Sequence, residues 1–443
     1  MITCRRQKPV VPPILPRLTH PVLFCNLAFP STLSQSSSFF FFFLFFLFYF
    51  SLLLPPLTKS RLLNMASSIP SEISSLLSLC SPLLPSTPST ITVKMSQKMG
   101  FSGATVYDFA VSGRLLFMKR ICFSPDAANL DRDVKSYKAE IAFLQHGPSA
   151  VPSLTFPTLV ASYVSPSGLE FVIVTESLSS THSSQVPAST DLSSLVFTLS
   201  SLLATFHGST SPPPPILDLW PVGGHICHTL SSLPLLSGGL AAFCSNFSSS
   251  AHPAFQLALD RDLPSRFQSY FDRPGPAQAQ APPFPHLIHG DPKLANFLFP
   301  TTSSSSSSSS SSVLLDFQWA GKGRGASDLV YLFATSAGDA MVSRTAALKS
   351  HYYSAYSAAA GEEERMTLAE FEEDWDAAVL EFARWVWSHR FPELKTQTPE
   401  MYDERRKEAD FNVGNYQKSV VMIGWLVEEV ERIVGKKEEE EGK

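Results

Sequence analysis

Asp291 and Asn296 stand five residues apart in His289-Gly290-Asp291-Pro292-Lys293-Leu294-Ala295-Asn296, and a second acid follows in Asp316-Phe317-Gln318. A carboxylate in such a loop can accept the proton of an alcohol. An amide oxygen and a further carboxylate are hard ligands of the kind Mg²⁺ prefers. Phosphoryl transfer asks for little more than an aligned nucleophile, metal ions and positive charge over the phosphates. Lys293, two residues past Asp291, offers such a charge.

These residues need elements to hold them. Asn296 to Phe299 and Val313 to Phe317 read as short buried strands, so the unbroken serine tract Ser303 to Ser312 is the solvated tip of a hairpin. Loop closure costs little more as a loop lengthens, which makes the insertion cheap. Upstream, Gly100 to Ala110 reads as turn then strand, Ser112-Gly113 as a hairpin turn and Arg114 to Ile121 as a second strand. Gly100 and Gly103 would let backbone N–H groups approach phosphates with no side chain between. Lys119 lies among apolar residues of that second strand, and a buried ammonium is costly without a partner. A helix over 131–145, with Tyr137, Ile141 and Leu144 on one face, carries Glu140 as the best-placed partner. Strands over 158–163 and 169–176 follow. The second ends at Glu176-Ser177-Leu178. Helices are expected over 71–80, 192–207, 264–271, 328–336, 341–359, 368–389 and 404–434, so strands fill the first part and helices the second, an α+β pattern. His207, at a helix end, reads as a capping or packing residue.

Composition narrows the class. A net charge of -5 with no basic stripe gives no case for nucleic acid, and 44% hydrophobic residues can fill a real core. The six cysteines are scattered without a CxxC pair, which fits a reducing compartment and a cytoplasmic protein. His225-Ile226-Cys227-His228 is one local cluster without a second, and no metal is assigned to it. No acid precedes Glu72, and Phe39 to Leu54 is apolar apart from Ser51. Residues 1–64 are a membrane anchor, a transit peptide, or an untranslated leader read as protein with Met65 the true start; a membrane contact follows only if residues 39–54 are genuinely translated. The expected organisation is the leader 1–64, a helical extension 65–95, a strand-rich lobe 96–178, a helical lobe 179–435 and a charged tail 436–443.

The H-G-D-x-x-x-x-N spacing, the D-F-Q triplet and the order of lysine strand then glutamate helix together resemble the aminoglycoside phosphotransferase/choline kinase-like superfamily, and more narrowly its CHK or ecdysteroid-kinase-like branch. The resemblance runs from about Gly100 to Tyr356. It implies a protein-kinase-like two-lobed fold and an ATP- and Mg²⁺-dependent kinase for a small-molecule alcohol. It further implies that Asp291 is the base, Asn296 and Asp316 hold metal, Lys119 meets the phosphates, Glu140 fixes Lys119, His289 braces the loop, and Glu176 to Leu178 form the connector between lobes whose backbone reads adenine. Asp328 would anchor the catalytic loop. Departures are an irregular phosphate loop, Lys293 where many relatives carry another residue, and the serine tract. The alternative is a nucleotide-binding pseudokinase scaffold. A protein kinase is disfavoured by H-G-D, D-F-Q and the absence of A-P-E. Trp319, Trp375, Trp385 and Trp387 suggest an aromatic box for a quaternary ammonium, against the simpler expectation of core packing.

Overall fold

The structure is a computed structural model, and it describes residues 71–79, 91–98, 104–186, 191–211, 214–229, 260–272, 286–301, 312–337, 339–387 and 416–442. The leader 1–64 with its apolar run, Gly100, Gly103 and all but the last serine of the tract lie outside the described residues.

Helix α1 (71–79) comes first, then β1 (Ile91–Lys98), β2 (Thr105–Val111) and β3 (Arg114–Cys122). Ser112 and Gly113 join β2 to β3 with φ of 49° and 81°, the pair of positive values that a two-residue hairpin turn needs to match strand twist. Helix α2 (Leu130–Ala150) crosses to β4 (Leu159–Val164) and β5 (Glu170–Glu176). The five strands form one antiparallel sheet in the order β1-β2-β3-β5-β4. Side-chain alternation gives this sheet two apolar faces, and each is covered. Ile73, Leu76 and Leu77 of α1 pack on Tyr107, Phe109, Val111, Leu116, Met118, Val172 and Val174. On the other face Tyr137, Ile141 and Leu144 of α2 pack on Ala104, Ile121, Phe171 and Ile173.

The second lobe begins with β6 (His182–Ser183) and α3 (Leu192–Ser209), whose N-cap Asp191 accepts from the backbone N–H groups of Ser193 and Ser194. It continues through α4 (His225–Thr229), α5 (Leu263–Asp272), β7 (His286–Ile288), β8 (Phe297–Pro300), β9 (Val313–Leu314), β10 (Gly321–Gly323) and α6 (Gly325–Ser336). Then come α7 (Thr345–Ala359), α8 (Leu368–Trp385) and α9 (Tyr416–Glu441). Thr367 and Glu370 close a reciprocal capping box at the start of α8. One apolar core, including Phe206, Leu329, Phe333, Trp375, Trp387 and Trp425, joins these helices. The expected α+β arrangement, a strand-rich lobe followed by a helical one, is therefore the one found.

Two helix bounds change. Residues Asp339–Arg344 form a 3₁₀ turn before α7 rather than its first turns. Helix α8 ends its α-helical part at Trp385, short of the expected 389, and the expected last helix before Tyr416 lies outside the described residues. The simpler expectation for the tryptophans holds: Trp375 and Trp387 are fully buried and Trp385 nearly so, all in the core, while Trp319 lines the cleft described below.

Candidate active site

The loop between β7 and β8 is held from below. Asp328, in the first turn of α6, is 1% exposed and accepts through both oxygens: from the His289 N–H at 2.7 Å and from the Gly290 N–H at 2.8 Å. His207 joins the same carboxylate at 3.1 Å through Nε2, while its Nδ1 meets the Tyr352 hydroxyl at 2.6 Å. His207 is thus a structural support of the loop and not merely a helix cap. Its partners stand 121 and 145 residues away, a link that no local motif displays. The His289 ring spans the loop, with Nε2 against the Leu315 carbonyl (2.7 Å) and Nδ1 accepting from the Asp291 N–H (3.2 Å). Gly290 has φ of 86°, and a Cβ there would stand 2.5 Å from the Trp319 carbonyl oxygen and 2.8 Å from the backbone of Gly224. Only glycine fits at that position.

Asp291 emerges from this frame 6% exposed. Its Oδ2 accepts from Lys293 Nζ at 2.5 Å and from Asn296 Nδ2 at 3.2 Å, and Asn296 Nδ2 also donates to the Asp291 carbonyl at 2.7 Å. Its Oδ1 is buried with no hydrogen-bond partner. A buried, unsatisfied carboxylate oxygen is costly, and groups of this kind mark places where a ligand completes the structure.

Asp316 takes a left-handed backbone conformation (φ 65°), which Asp tolerates better than most residues. Phe317 then enters the core, stacked on Phe143 of α2 with centroids 3.6 Å apart, and the Asp316 carboxylate meets Lys119 at 2.9 Å. Lys119 also pairs with Glu140 at 3.0 Å. One ammonium from β3 therefore links the helix of the first lobe to a loop of the second. Burial works against the Lys119 charge, but Asp316 and Glu140 outweigh it and hold its pKa above the usual lysine range. Burial pushes the Glu140 carboxyl up against the pull of Lys119. Burial also opposes ionisation of Asp316, yet Lys119, Lys293 and His289 together hold its pKa low. The Gln318 amide extends the cluster with a long bond (3.5 Å) to Glu140.

These groups line one cleft of about 490 Å³. Its roof includes Val106, Phe117 and Ile173, its wall includes Thr175, and Asp291, Lys293, Asn296 and Asp316 close the end near Lys119. The volume falls in the range of small-ligand sites. Glu176, at the end of β5, carries a salt bridge to Arg114 at 2.7 Å. The Leu178 carbonyl is engaged by the N–H groups of Thr181 and His182 in its own turn. The structure thus brings together Lys119, Glu140, Asp291, Lys293, Asn296 and Asp316, with His289 and Asp328 behind them. Glu176 and Leu178 sit at the connector and do not line the cleft, whereas Thr175 does.

Among the described residues no group of three His, Cys, Asp or Glu is set to hold a metal. The donor set is smaller and harder: the Asp316 carboxylate and, with its nitrogen committed to Asp291, the Asn296 amide oxygen. That set suits Mg²⁺, which takes one or two protein ligands and fills its octahedron with phosphate and water. His225 to His228 serve another purpose. The Gly223, Gly224 and His225 N–H groups donate to the carbonyls of Lys322 (2.7 Å), Trp319 (3.0 Å) and Gly290 (2.9 Å), which docks this segment on β10 and on the loop after β7.

The model of the ecdysteroid kinase-like family matches residues 233–360, the stretch that holds Asp291, Asn296, Asp316 and Asp328. The match thus covers the H-G-D-x-x-x-x-N loop and the D-F-Q triplet from which the likeness was read, while Lys119 and Glu140 lie outside it. No curated protein matches the chain in sequence. Among solved structures, the chain is similar to the GDP complex of wild-type aminoglycoside 2'-phosphotransferase-IIIa, with 16% identity over 85% of this chain and 99% of that one and a TM-score of 0.41. It is similar to a microcompartment-associated aminopropanol kinase at 14% identity, 83% and 98% coverage and a TM-score of 0.42. A Plasmodium vivax ethanolamine kinase is similar at 11% identity, 77% and 84% coverage and a TM-score of 0.39.

Proposed function

We propose that the protein is an ATP-dependent kinase that phosphorylates a hydroxyl group of a small metabolite. The observation that carries this reading is the unpartnered, buried Oδ1 of Asp291 at the end of a nucleotide-sized cleft whose other end groups are Lys119, Lys293, Asn296 and Asp316. The acceptor hydroxyl donates to Asp291, which takes its proton as the new P–O bond forms and the bond from the γ-phosphorus to the ADP oxygen breaks. Lys293, already beside Asp291, balances charge on the moving phosphoryl group, and Lys119 holds the α- and β-phosphates with Glu140 fixing it. Mg²⁺, held by Asp316 and Asn296, would supply neutralisation of the phosphate oxygens. Gln318 stands where protein kinases carry glycine, and its contact with Glu140 ties the triplet to α2 and favours a fixed segment over a mobile one.

The test is a phosphorylation screen of a metabolite library with Mg·ATP and Mg·GTP, on wild type and Asp291→Asn. A general base of this kind contributes roughly 10²–10⁴ in rate. Asp291→Asn should therefore lose at least a hundredfold in kcat while nucleotide binding stays within a few-fold. Equal transfer by the two proteins would end the reading. Nucleotide binding without transfer to any acceptor would favour the scaffold alternative.

A further inference from the structure

Every basic residue of β3 is paired, yet one acid on the neighbouring strand is left over. Arg114 binds Glu176 at 2.7 Å, Lys119 binds Glu140 and Asp316 at 3.0 and 2.9 Å, and Arg120 binds Glu72 and Glu170 at 2.5 and 2.8 Å. Asp108 of β2 is only 8% exposed, and its Oδ1 is buried without a hydrogen-bond partner. Among the described residues no cation stands against it. Its neighbours Val106, Tyr107, Phe109 and Val111 are buried aliphatic and aromatic residues, as a strand prefers. Aspartate is a poor strand former, and a buried carboxylate oxygen without a donor lowers stability. A residue that breaks local rules in this way is expected where function requires it.

Register gives the direction that Asp108 faces. Tyr107, Phe109 and Val111 pack with α1, so strand alternation turns Val106 and Asp108 to the other side of the sheet. Val106 lines the cleft on that side. Asp108 stands opposite Phe117 of β3, and Phe117 stands opposite Thr175 of β5; both line the cleft as well. The adjacent row is Val106, Lys119 and Ile173, all of them in the wall. The roof therefore carries a cation in one row and a carboxylate at the edge of the next, about 7 Å further on, two residues along a strand. A phosphate oxygen would be repelled by Asp108, so the group that meets it is a neutral donor. With the phosphates at Lys119, the next unit of a nucleotide is its sugar. Ribose offers two adjacent hydroxyl donors, and a carboxylate, which accepts only, is a natural partner for them.

We propose that Asp108 accepts a hydrogen bond from a ribose hydroxyl of the nucleotide and sets a preference for ribonucleotides over deoxyribonucleotides. The inference rests on the kinase reading above for the place of the phosphates, and adds to it a residue that reads the sugar.

Calorimetry on the full chain with Mg²⁺ compares ADP, 2′-deoxy-ADP and 3′-deoxy-ADP, which bind without being consumed. Wild type should bind ADP at least tenfold tighter than one of the deoxy nucleotides, the size expected of a hydrogen bond to an ionised group. The analogue that binds weakly shows which hydroxyl is read. Asp108→Leu should bring the affinities within a few-fold of each other, chiefly by weakening ADP. Asp108→Asn, which keeps one acceptor oxygen, should fall between. Urea unfolding separates this role from a structural one: Asp108→Leu removes an unsatisfied buried oxygen, so its midpoint should equal or exceed that of wild type. Equal affinity of wild type for the three nucleotides, or a ribose preference that survives Asp108→Leu, overturns the inference and leaves the kinase reading to its own test by transfer. A less stable Asp108→Leu protein that binds all three more weakly in the same proportion also overturns it. A ribose preference abolished by Asp108→Leu, with no transfer to any acceptor, upholds the inference and defeats the kinase reading. Failure of wild type to bind any of the nucleotides removes both.

Discussion

Asp328 is the point where the catalytic loop is most exposed to a single change, and the cost can be worked from its bonds. Its two oxygens accept from the N–H groups of His289 and Gly290 at 2.7 and 2.8 Å, and His207 completes the set at 3.1 Å, all buried. A hydrogen bond to an ionised group contributes roughly 1.5–3 kcal/mol, and a buried N–H left without a partner costs about 1–3 kcal/mol. Asp328→Asn keeps one acceptor oxygen and turns an NH₂ against the other donor, so it should lose about 3 kcal/mol. Asp328→Ala strands both donors and should lose about 5 kcal/mol, a few contributions of the same size. All six tryptophans, from Trp220 to Trp425, belong to the second lobe, so intrinsic fluorescence during urea unfolding follows the part that Asp328 anchors. The loop should also lose its order. We expect kcat to fall at least tenfold, while affinity for Mg·ATP changes less, because Lys119 and Glu140 are positioned by β3 and α2. If Asp328→Ala unfolds at the wild-type urea concentration with wild-type kcat, the loop is held by something else.

Gly290→Ala should abolish transfer and lower stability by at least 2 kcal/mol, roughly the cost of overpacking in a filled site, as checked by the same unfolding and turnover assays. Ile73→Ala, at a fully buried position of α1, should destabilise the first lobe by about 2–4 kcal/mol, seen as faster proteolysis within residues 91–176 under native conditions. Lys119→Met leaves Glu140 and Asp316 facing each other without their shared cation, and breaking such a buried pair costs about 3–5 kcal/mol; adding Glu140→Gln should recover part of it in a double-mutant cycle. His286 is fully buried, and burial, followed by the neighbouring His207, lowers its pKa to about 3. The unfolded chain then binds the extra proton between about pH 6.5 and pH 3, so this contribution is whole above pH 6.5 and is lost as pH falls through that window. Between pH 6.5 and pH 4 it amounts to about 3 kcal/mol. His286→Asn should flatten the pH dependence of the urea midpoint in that range; an unchanged slope would refute the assignment.

How far the sequence shows such features depends on how far apart the partners lie. The Lys119–Glu140 pair was legible because strand and helix are adjacent in the chain, 21 residues apart, and a lysine among apolar neighbours demands an acid. The catalytic loop was legible because Asp291, Lys293 and Asn296 are local. The bond from Lys119 to Asp316, 197 residues on, was not, and the two residues were assigned to phosphate and metal separately. His207 read as a cap because its own helix gave it that role, while Tyr352 and Asp328 were out of sight. The same reasoning accounts for the segment of Trp220 to His228. It matches no motif, and its histidines and cysteine invite a metal that the fold does not assemble among the described residues. Its real signal was what it lacks: no charge for 41 residues from Leu219 to Leu259, and no side chain at Gly223, where a Cβ would stand 2.9 Å from the Gly321 backbone. Chemistry common to all phosphoryl transfer is written in short motifs because its groups must share one rigid loop. The wall around Trp319 is not, because it is assembled from α2, the Trp220 segment and the turn after Asp316, elements that meet only in the fold.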